Sequence, residues 1–360
     1  MSFENICISC FCEKETDVCP WCGFVDSEKR RNSMLPAKYL LNERYVIGEY
    51  INVDKNSIEY KAWDIAEQRI VEVQEYYPRE FVARNSDGTT VSVNSSENCE
   101  AFRKNVNSII SSAQKMFEFS ASSYLVNVYD CFESNGTVYV VTEYIEGSFL
   151  EDFMSYNGGK LDEETALSIV IPVLEGLSQL HKSGLVHRAI SPNSIIITVD
   201  NEVKIGNFRF LKDASPYKDE NMTVHFSSGY AAPEQYRSKS KQGAFSDVYA
   251  VGGVLYKMLT GERPTDAIER YNAELVAPSK INTEISENIC ISIMKAMNMT
   301  SELRFKSAAD FKNALLSNKT VVDIDDELKN IKKKNIKKAI ILSVAAVAAV
   351  AATVLYIVLG

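Results

Sequence analysis

Cys7, Cys10, Cys19 and Cys22 are the densest chemical signal in the chain. "CISC" and "CPWC" repeat a C-x2-C unit across a spacer of eight residues. Four thiolates on two tight turns can close a tetrahedron around Zn²⁺, at Zn–S distances of about 2.3 Å. Gly23, just past the second pair, suits a turn that aims backbone N–H groups at sulfur. A stretch this short holds no core of its own, so residues 1–28 are expected to fold as a zinc ribbon only around a structural metal. The competing reading, four free cysteines in a tail, sits poorly with the paired spacing. Cys12 reads as a spare thiol. The segment carries six acids (Glu4, Glu13, Glu15, Asp17, Asp26, Glu28) against Lys14, a net charge of −5. That disfavours phosphate and points to a structural or protein-binding role.

At the other end, residues 339–360, "AIILSVAAVAAVAATVLYIVLG", are uncharged over 22 positions. As a helix they would span about 33 Å, enough for the hydrocarbon core of a bilayer. Lys332, Lys333, Lys334, Lys337 and Lys338 precede them in a basic juxtamembrane segment, 319–338. By the positive-inside tendency everything before the span is expected to be cytoplasmic, in a single-pass membrane protein. A buried soluble helix is the alternative. Ala345/Ala349 and Ala348/Ala352 offer small faces for helix pairing, so a homo-oligomer is one expectation. The chain ends right after the span, which reads as a tail anchor or as a cut.

The elements that must hold this chemistry lie between. Hydrophobic residues make up 46% of the chain and charged residues 24%, an ordinary globular composition. A net charge of −9 argues against nucleic acid as a partner. Five of the eight cysteines crowd into residues 7–22, which fits a reducing compartment better than a disulfide framework. "MSFENICISC" has neither the basic start nor the apolar run of a signal peptide. "KRRNSMLPAKYL", 29–40, reads as a linker. From 41 onward the first hundred residues are strand-rich: "RIVEVQEYY" and "TVYVVTEYI" run apolar and β-branched, and "SNG", 134–136, supplies a turn. Beyond about residue 150 helices dominate. Ala166, Val170, Val173, Leu177 and Leu180 follow a helical period, with Asp162 placed to cap the start and Gly184 to end it. Pro172 sits inside that helix against the local rule. Strands first and helices after imply an α+β domain in two lobes, 41–145 and 146–318.

The order of motifs over 41–318 resembles a protein kinase, specifically the bacterial Ser/Thr kinases of eukaryotic type. "GLVHRAISPNSIII" looks like the catalytic loop and "VKIGNFRF" like the metal-binding strand with its D-F-G turn. "GYAAPEQY" carries A-P-E as Ala232, Pro233 and Glu234. "FSDVYAVGGVLYKMLTG" looks like the central helix with Asp247, and "ELRFKSAADF" supplies Arg304 as the ion-pair partner of Glu234. The resemblance implies a two-lobed kinase fold; some bacterial members also carry an N-terminal zinc ribbon and one membrane span.

Phosphoryl transfer is mostly positioning and charge neutralisation, and the resemblance assigns each group a position. The three glycines of the phosphate loop fall on Asn52, Asp54 and Ser57. The lysine of V-A-I-K falls on Gln74, and its helix glutamate on Ser112. The catalytic aspartate of H-R-D is Ala189. The metal-binding asparagine is Ser194, with Asn193 one position early, and the D-F-G aspartate is Asn207. The two small residues that cover adenine are Glu59 and Glu72. Two carboxylates buried against a purine with no cation beside them would cost several kcal/mol. His187 and Phe208, with Met116 and Val128, fit the packed spine that links the lobes. A scaffold with its chemistry removed is a pseudokinase, with no functional MgATP site and no catalytic residue. Its partners would be proteins, a related active kinase or a membrane complex. Two other readings stand beside it. One is a divergent active kinase whose metal ligands have moved, to Asp200 or Asp213 for instance; the other is a sensor of a non-nucleotide ligand in the cleft. In the activation segment, 211–229, Ser215, Thr223, Ser227 and Ser228 are available hydroxyls.

Overall fold

The computed structural model describes residues 5–25, 30–206, 227–237 and 240–317, together with the backbone of 212–213. Asn207, Phe208, Ser215, Thr223 and the expected span 339–360 lie outside the described residues. Among those described, no helix is long and apolar enough to cross a membrane.

The first lobe is a six-stranded antiparallel sheet in the order β1-β2-β3-β4-β8-β7. Its strands are β1 (Leu40–Leu41), β2 (Tyr45–Val53), β3 (Ser57–Asp64), β4 (Arg69–Tyr76), β7 (Val128–Ser134) and β8 (Thr137–Glu143). A small hairpin, β5 (Val82–Arg84) and β6 (Val91–Val93), precedes α1 (Ser96–Met116), which packs on β7 and β8. The turn between β7 and β8 is the expected one: Asn135 and Gly136 both have positive φ, 51° and 77°, as a tight two-residue hairpin requires.

Part of the segment 29–40, expected as a linker, packs on the first lobe. Met34 and Leu35 are buried in the first-lobe core, Leu35 N–H donates to Tyr60 Oη at 3.0 Å, and Arg84 Nε donates to Ser33 O at 2.8 Å. Two apolar side chains in a polar stretch suffice to pull it in. The same core holds a charged network. Glu75 is fully buried, paired with Arg84, and accepts from Tyr60 Oη at 3.0 Å and Tyr139 Oη at 2.6 Å. Burial pushes the Glu75 carboxyl above its usual range despite Arg84.

The second lobe opens with β9 (Gly147–Phe149), which pairs with β11 (Ile195–Thr198), itself paired with β12 (Val203–Ile205). After α2 (Leu150–Tyr156) comes α3 (Glu163–Lys182). Asp162 Oδ1 caps α3 by accepting Thr165 N–H at 2.8 Å, and Gly184 beyond its end takes φ +75°. The five residues picked out by period are all buried, and α3 runs on through Pro172. The short pair β10 (Leu185–Val186) and β13 (Lys212–Asp213) brackets the motif-bearing loop. The central helix α4 (Ala244–Thr260) is buried along nearly its whole length. It packs with α5 (Pro278–Ile281), α6 (Glu287–Ala296) and α7 (Ala308–Leu316). Met116, Leu125 and Val128 from the first lobe belong to the same buried cluster as these helices, while the sheet of the first lobe has a buried core of its own.

Candidate functional site

Strands β3 and β4 send alternate residues to opposite sides. Ile58, Tyr60, Ala62, Val71 and Val73 fill the first-lobe core, which leaves Glu59, Lys61, Glu72 and Gln74 together on the other face. Glu59 stands opposite Gln74, and Gln74 Nε2 donates to Glu59 Oε1 at 2.9 Å. Gln74 therefore bonds across its own sheet to Glu59, while Ser112 is buried on α1. Lys61 stands opposite Glu72 and is only 8% exposed. Its ammonium lies 3.8 Å from Glu49 Oε1 and 4.5 Å from the centre of the Tyr144 ring. A cation does share the face with the two glutamates, contrary to the sequence expectation. A residue two places from Glu59 on a strand is on the same face, which is the signal that would have found it.

The loop between β2 and β3 is closed by its own side chains. Asp54 Oδ1 accepts the N–H groups of Asn56 and Ser57, each at 2.6 Å, and Asn52 Oδ1 accepts Val53 N–H at 2.8 Å. Successive backbone amides of this kind are what a phosphate-binding loop offers its ligand. Here a carboxylate of the same loop takes two of them.

In the second lobe, Asp247 at the start of α4 is fully buried and organises the H-R-A loop. Its Oδ2 accepts His187 N–H at 2.9 Å and contacts His181 Nε2 at 2.8 Å, and its Oδ1 accepts Arg188 N–H at 2.7 Å. Burial alone would raise the Asp247 carboxyl; the His181 hydrogen bond, the nearby imidazoles and the loop amide outweigh it and hold the group below its usual range. His187 is fully buried, its Nε2 is 2.9 Å from Gly206 O, and burial holds its pKa below the ordinary value. Arg188 adopts φ +67°, a left-handed backbone that a bulky residue keeps only when its neighbours fix it. Asp247 fixes one side and Gln235 Nε2, which donates to Arg188 O at 2.8 Å, the other. Gln235 was not visible from the sequence: its Oε1 also accepts Ala232 N–H at 2.9 Å, so one side chain ties the A-P-E turn to the loop.

At the position of the metal-binding asparagine, Ser194 is buried and its hydroxyl is spent on Ser191. It accepts Ser191 N–H at 3.0 Å and donates to Ser191 O at 2.9 Å. Asn193 is exposed. Asp200 lies in the exposed turn at the far end of the β11–β12 hairpin, beyond the strand that Ser194 precedes. Asp213 lies on β13 opposite Leu185.

The expected pair below the activation segment is present. Arg304, 2% exposed, meets Glu234 with two parallel bonds, Nη1–Oε1 at 2.8 Å and Nη2–Oε2 at 2.9 Å. Ser228 Oγ donates to Asp266 Oδ2 at 3.0 Å, and Tyr236 Oη to the same oxygen at 2.8 Å, a second anchor of this segment that no motif announced.

The four knuckle cysteines converge. Their sulfurs all lie within 4.8 Å of one another, with Cys7–Cys22 at 3.7 Å and Cys10–Cys19 at 3.5 Å. A tetrahedron with Zn–S bonds of about 2.3 Å has edges of about 3.8 Å, so the donor set fits a tetrahedral thiolate-bound ion. Burial works to raise the Cys19 thiol, but hydrogen bonds from the Cys22 and Trp21 backbone outweigh it and bring the thiol to about 6, whereas burial pushes Cys10 and Cys22 up. Gly23 does supply a left-handed turn, φ +72°, although its own amide goes to Cys19 O at 2.9 Å rather than to sulfur. Cys12 is exposed and outside the cluster.

Residues 81–335 match the profile of the protein kinase domain family; the match begins beyond the loop 52–57 and Gln74. A probable serine/threonine-protein kinase of Clostridium perfringens is 34% identical over 195 residues, which is 52% of this chain and 28% of that protein. A probable serine/threonine-protein kinase of Clostridium acetobutylicum is 28% identical over 297 residues, 80% of this chain and 42% of that protein. The serine/threonine-protein kinase PknB of Mycobacterium leprae is 31% identical over 206 residues, 53% of this chain and 33% of that protein. The matches thus span less than half of each relative's own length. A solved structure described as PpkA-294 apo form aligns with a TM-score of 0.69 at 24% identity, over 79% of this chain and 99% of that one, a likeness of fold. With the two-lobed architecture, the Asp247-anchored loop and the Glu234–Arg304 pair all in place, the family match over most of its length makes this chain a member of the protein kinase domain family.

Proposed function

We propose that the chain is a pseudokinase: a kinase-fold scaffold or allosteric regulator that works through protein contacts, with a related active kinase or a membrane complex as partner. One observation carries the reading. At each described position where the family holds phosphate or metal, the group is missing or already bonded to the protein itself. Asp54 takes the loop amides, Gln74 is bonded to Glu59, Ser194 is closed on Ser191, and position 189 is alanine. The magnitudes favour loss of chemistry. One preorganised charge-stabilising group is worth about 3 kcal/mol or more in a transition state, and a catalytic base about 10²–10⁴-fold. Groups that act as a unit are not rescued singly.

In the same reading the cysteine knuckle holds a structural Zn²⁺. Residues 339–360 anchor the protein in a membrane with the remainder facing the cytoplasm, supported by the uncharged run and the lysines before it.

A second reading, an active Ser/Thr kinase, is favoured by the names of the relatives. Calorimetry with millimolar MgATP, beside a radiolabel transfer assay, decides between them. The scaffold reading expects no saturable binding and no transfer. Binding together with transfer that Asn207→Ala abolishes would select the active kinase.

A further inference from the structure

The cysteine knuckle is built onto the first lobe. Its first turn meets β2 and β3 at three points. Ile8 O accepts Glu49 N–H at 2.8 Å, and Ser9 Oγ donates to Glu49 Oε1 at 2.7 Å. The Phe11 ring stacks on Trp63, with centroids 6.1 Å apart and planes 29° apart. Gly48 makes the approach possible: a Cβ there would come within 2.5 Å of both Ile8 O and Phe11 Cζ.

The two knuckles follow one backbone plan, with a left-handed residue right after the second cysteine. In the second knuckle that residue is Gly23, the type that adopts φ +72° freely. In the first it is Phe11 at φ +60°, where a bulky side chain is strained. The strain is accounted for by what the ring does, since it is the part that rests on Trp63. From Glu49 the contact continues inward. The oxygen that receives Ser9 also faces the Lys61 ammonium, and that ammonium sits over Tyr144, in the segment joining the lobes.

We propose that the knuckle is a metal-dependent strap on the first lobe. The ion held by the four thiols fixes the first turn; that turn fixes Glu49 and Trp63, and through Lys61 the state of the metal reaches the connection between the lobes. The proposal rests on the zinc reading above. Apart from the sulfurs, the ties within the knuckle are short backbone bridges, Ile6 with Glu13 and Val18 with Val25, so loss of the ion frees Ile8 to Phe11 and releases the β2–β3 edge.

The test uses the full chain. Its two tryptophans are Trp21 and Trp63, so Trp21→Phe leaves Trp63 as the sole reporter. Three quantities are measured with and without a chelator: zinc per chain, Trp63 emission, and hydrogen exchange at the Glu49 amide. The expected result is one zinc per chain. Its removal should shift Trp63 emission to the red and speed exchange at Glu49 by about tenfold or more. Phe11→Gly keeps the left-handed turn without strain. It should retain the zinc and yet give the red-shifted emission with no chelator present. Zinc that leaves while emission and exchange stay unchanged overturns the strap and spares the zinc reading. Protein that never binds zinc overturns both. Unchanged emission in zinc-loaded Phe11→Gly also overturns the strap.

Discussion

Arg304→Ala should be among the costliest single changes in the second lobe. The guanidinium side chain is wholly buried and the Glu234 carboxylate is 10% exposed. Besides its two bonds to Glu234, Arg304 donates from Nε to Asn298 O at 2.7 Å, from Nη1 to Phe245 O at 3.0 Å and from Nη2 to Met299 O at 3.4 Å. Alanine would leave one carboxylate and three carbonyls without this donor. Breaking a buried pair from one side costs about 3–5 kcal/mol. An orphaned carbonyl adds about 1 kcal/mol where water cannot replace the donor. Water entering the vacated volume offsets part of this, and Ser246 Oγ still donates to Glu234 Oε1 at 2.7 Å. The net expectation is about 4 kcal/mol, or roughly 8–16 °C in Tm for a domain of this size. Urea and thermal unfolding of Arg304→Ala, Glu234→Gln, and the double variant Glu234→Gln/Arg304→Ala close a cycle. Because the penalty comes from uncompensated charge, the double variant should be less damaging than the two single losses added together, with a coupling of about 2 kcal/mol. A cost below about 1 kcal/mol for Arg304→Ala, or strict additivity, would refute the view that this pair pins the A-P-E turn.

Other consequences can be checked independently. His187 has a folded pKa below its usual value of about 6.5, so its contribution to stability is complete above that pH and is lost as pH falls below it. Asp247, also lowered, adds a second loss at pH below the usual aspartate range; urea midpoints should therefore hold from pH 8 to about 7 and decline below about 6.5, and His187→Gln should flatten the first part of the decline. Gln74→Lys places an ammonium beside Glu59, where the amide now bonds at 2.9 Å. It should give no phosphoryl transfer; transfer from this single change would show the site to be far closer to active than its geometry implies. Asp54→Ala removes the acceptor of two loop amides. Exchange at Asn56 and Ser57 should rise about fivefold to tenfold while the global midpoint stays put, because the opening is local.

The sequence made the second lobe readable because its anchors are motif residues with fixed partners. Asp247, Glu234 and Arg304 make the contacts that the kinase resemblance implies for them, while Phe208, the spine neighbour expected for His187, lies outside the described residues. The α3 helix was readable too, since five apolar positions at one period have a single burial solution. What escaped were contacts between residues far apart with no motif around them: Gln235 to Arg188, Lys204 to Glu143 at 2.6 Å, and Glu75 to Arg84. The packing of the linker escaped for a different reason. Ser33, Met34 and Leu35 look unremarkable in a polar stretch, and only the folded lobe supplies the Tyr60 hydroxyl that accepts Leu35 N–H and the Arg84 that donates to Ser33 O. Lys61 belongs to no motif, and only the two-residue period of β3 puts it on the face of Glu59. The knuckle's cysteines were legible by spacing, but its docking was not, because Phe11 and Gly48 acquire meaning only from each other.

The left-handed turn at Arg188 has a bearing on engineering. Its backbone is pinned from two sides, by a carboxylate on its amide and a carboxamide on its carbonyl, and neither bond involves the side chain at 189. The main chain at that position is therefore a socket already cut to shape. Anyone installing an acid there inherits a preset Cα–Cβ direction and need not rebuild the loop. The effort would fall on the β2–β3 loop, where Asp54 occupies two amides, and on Gln74 and Ser194, whose side chains are bonded within the protein.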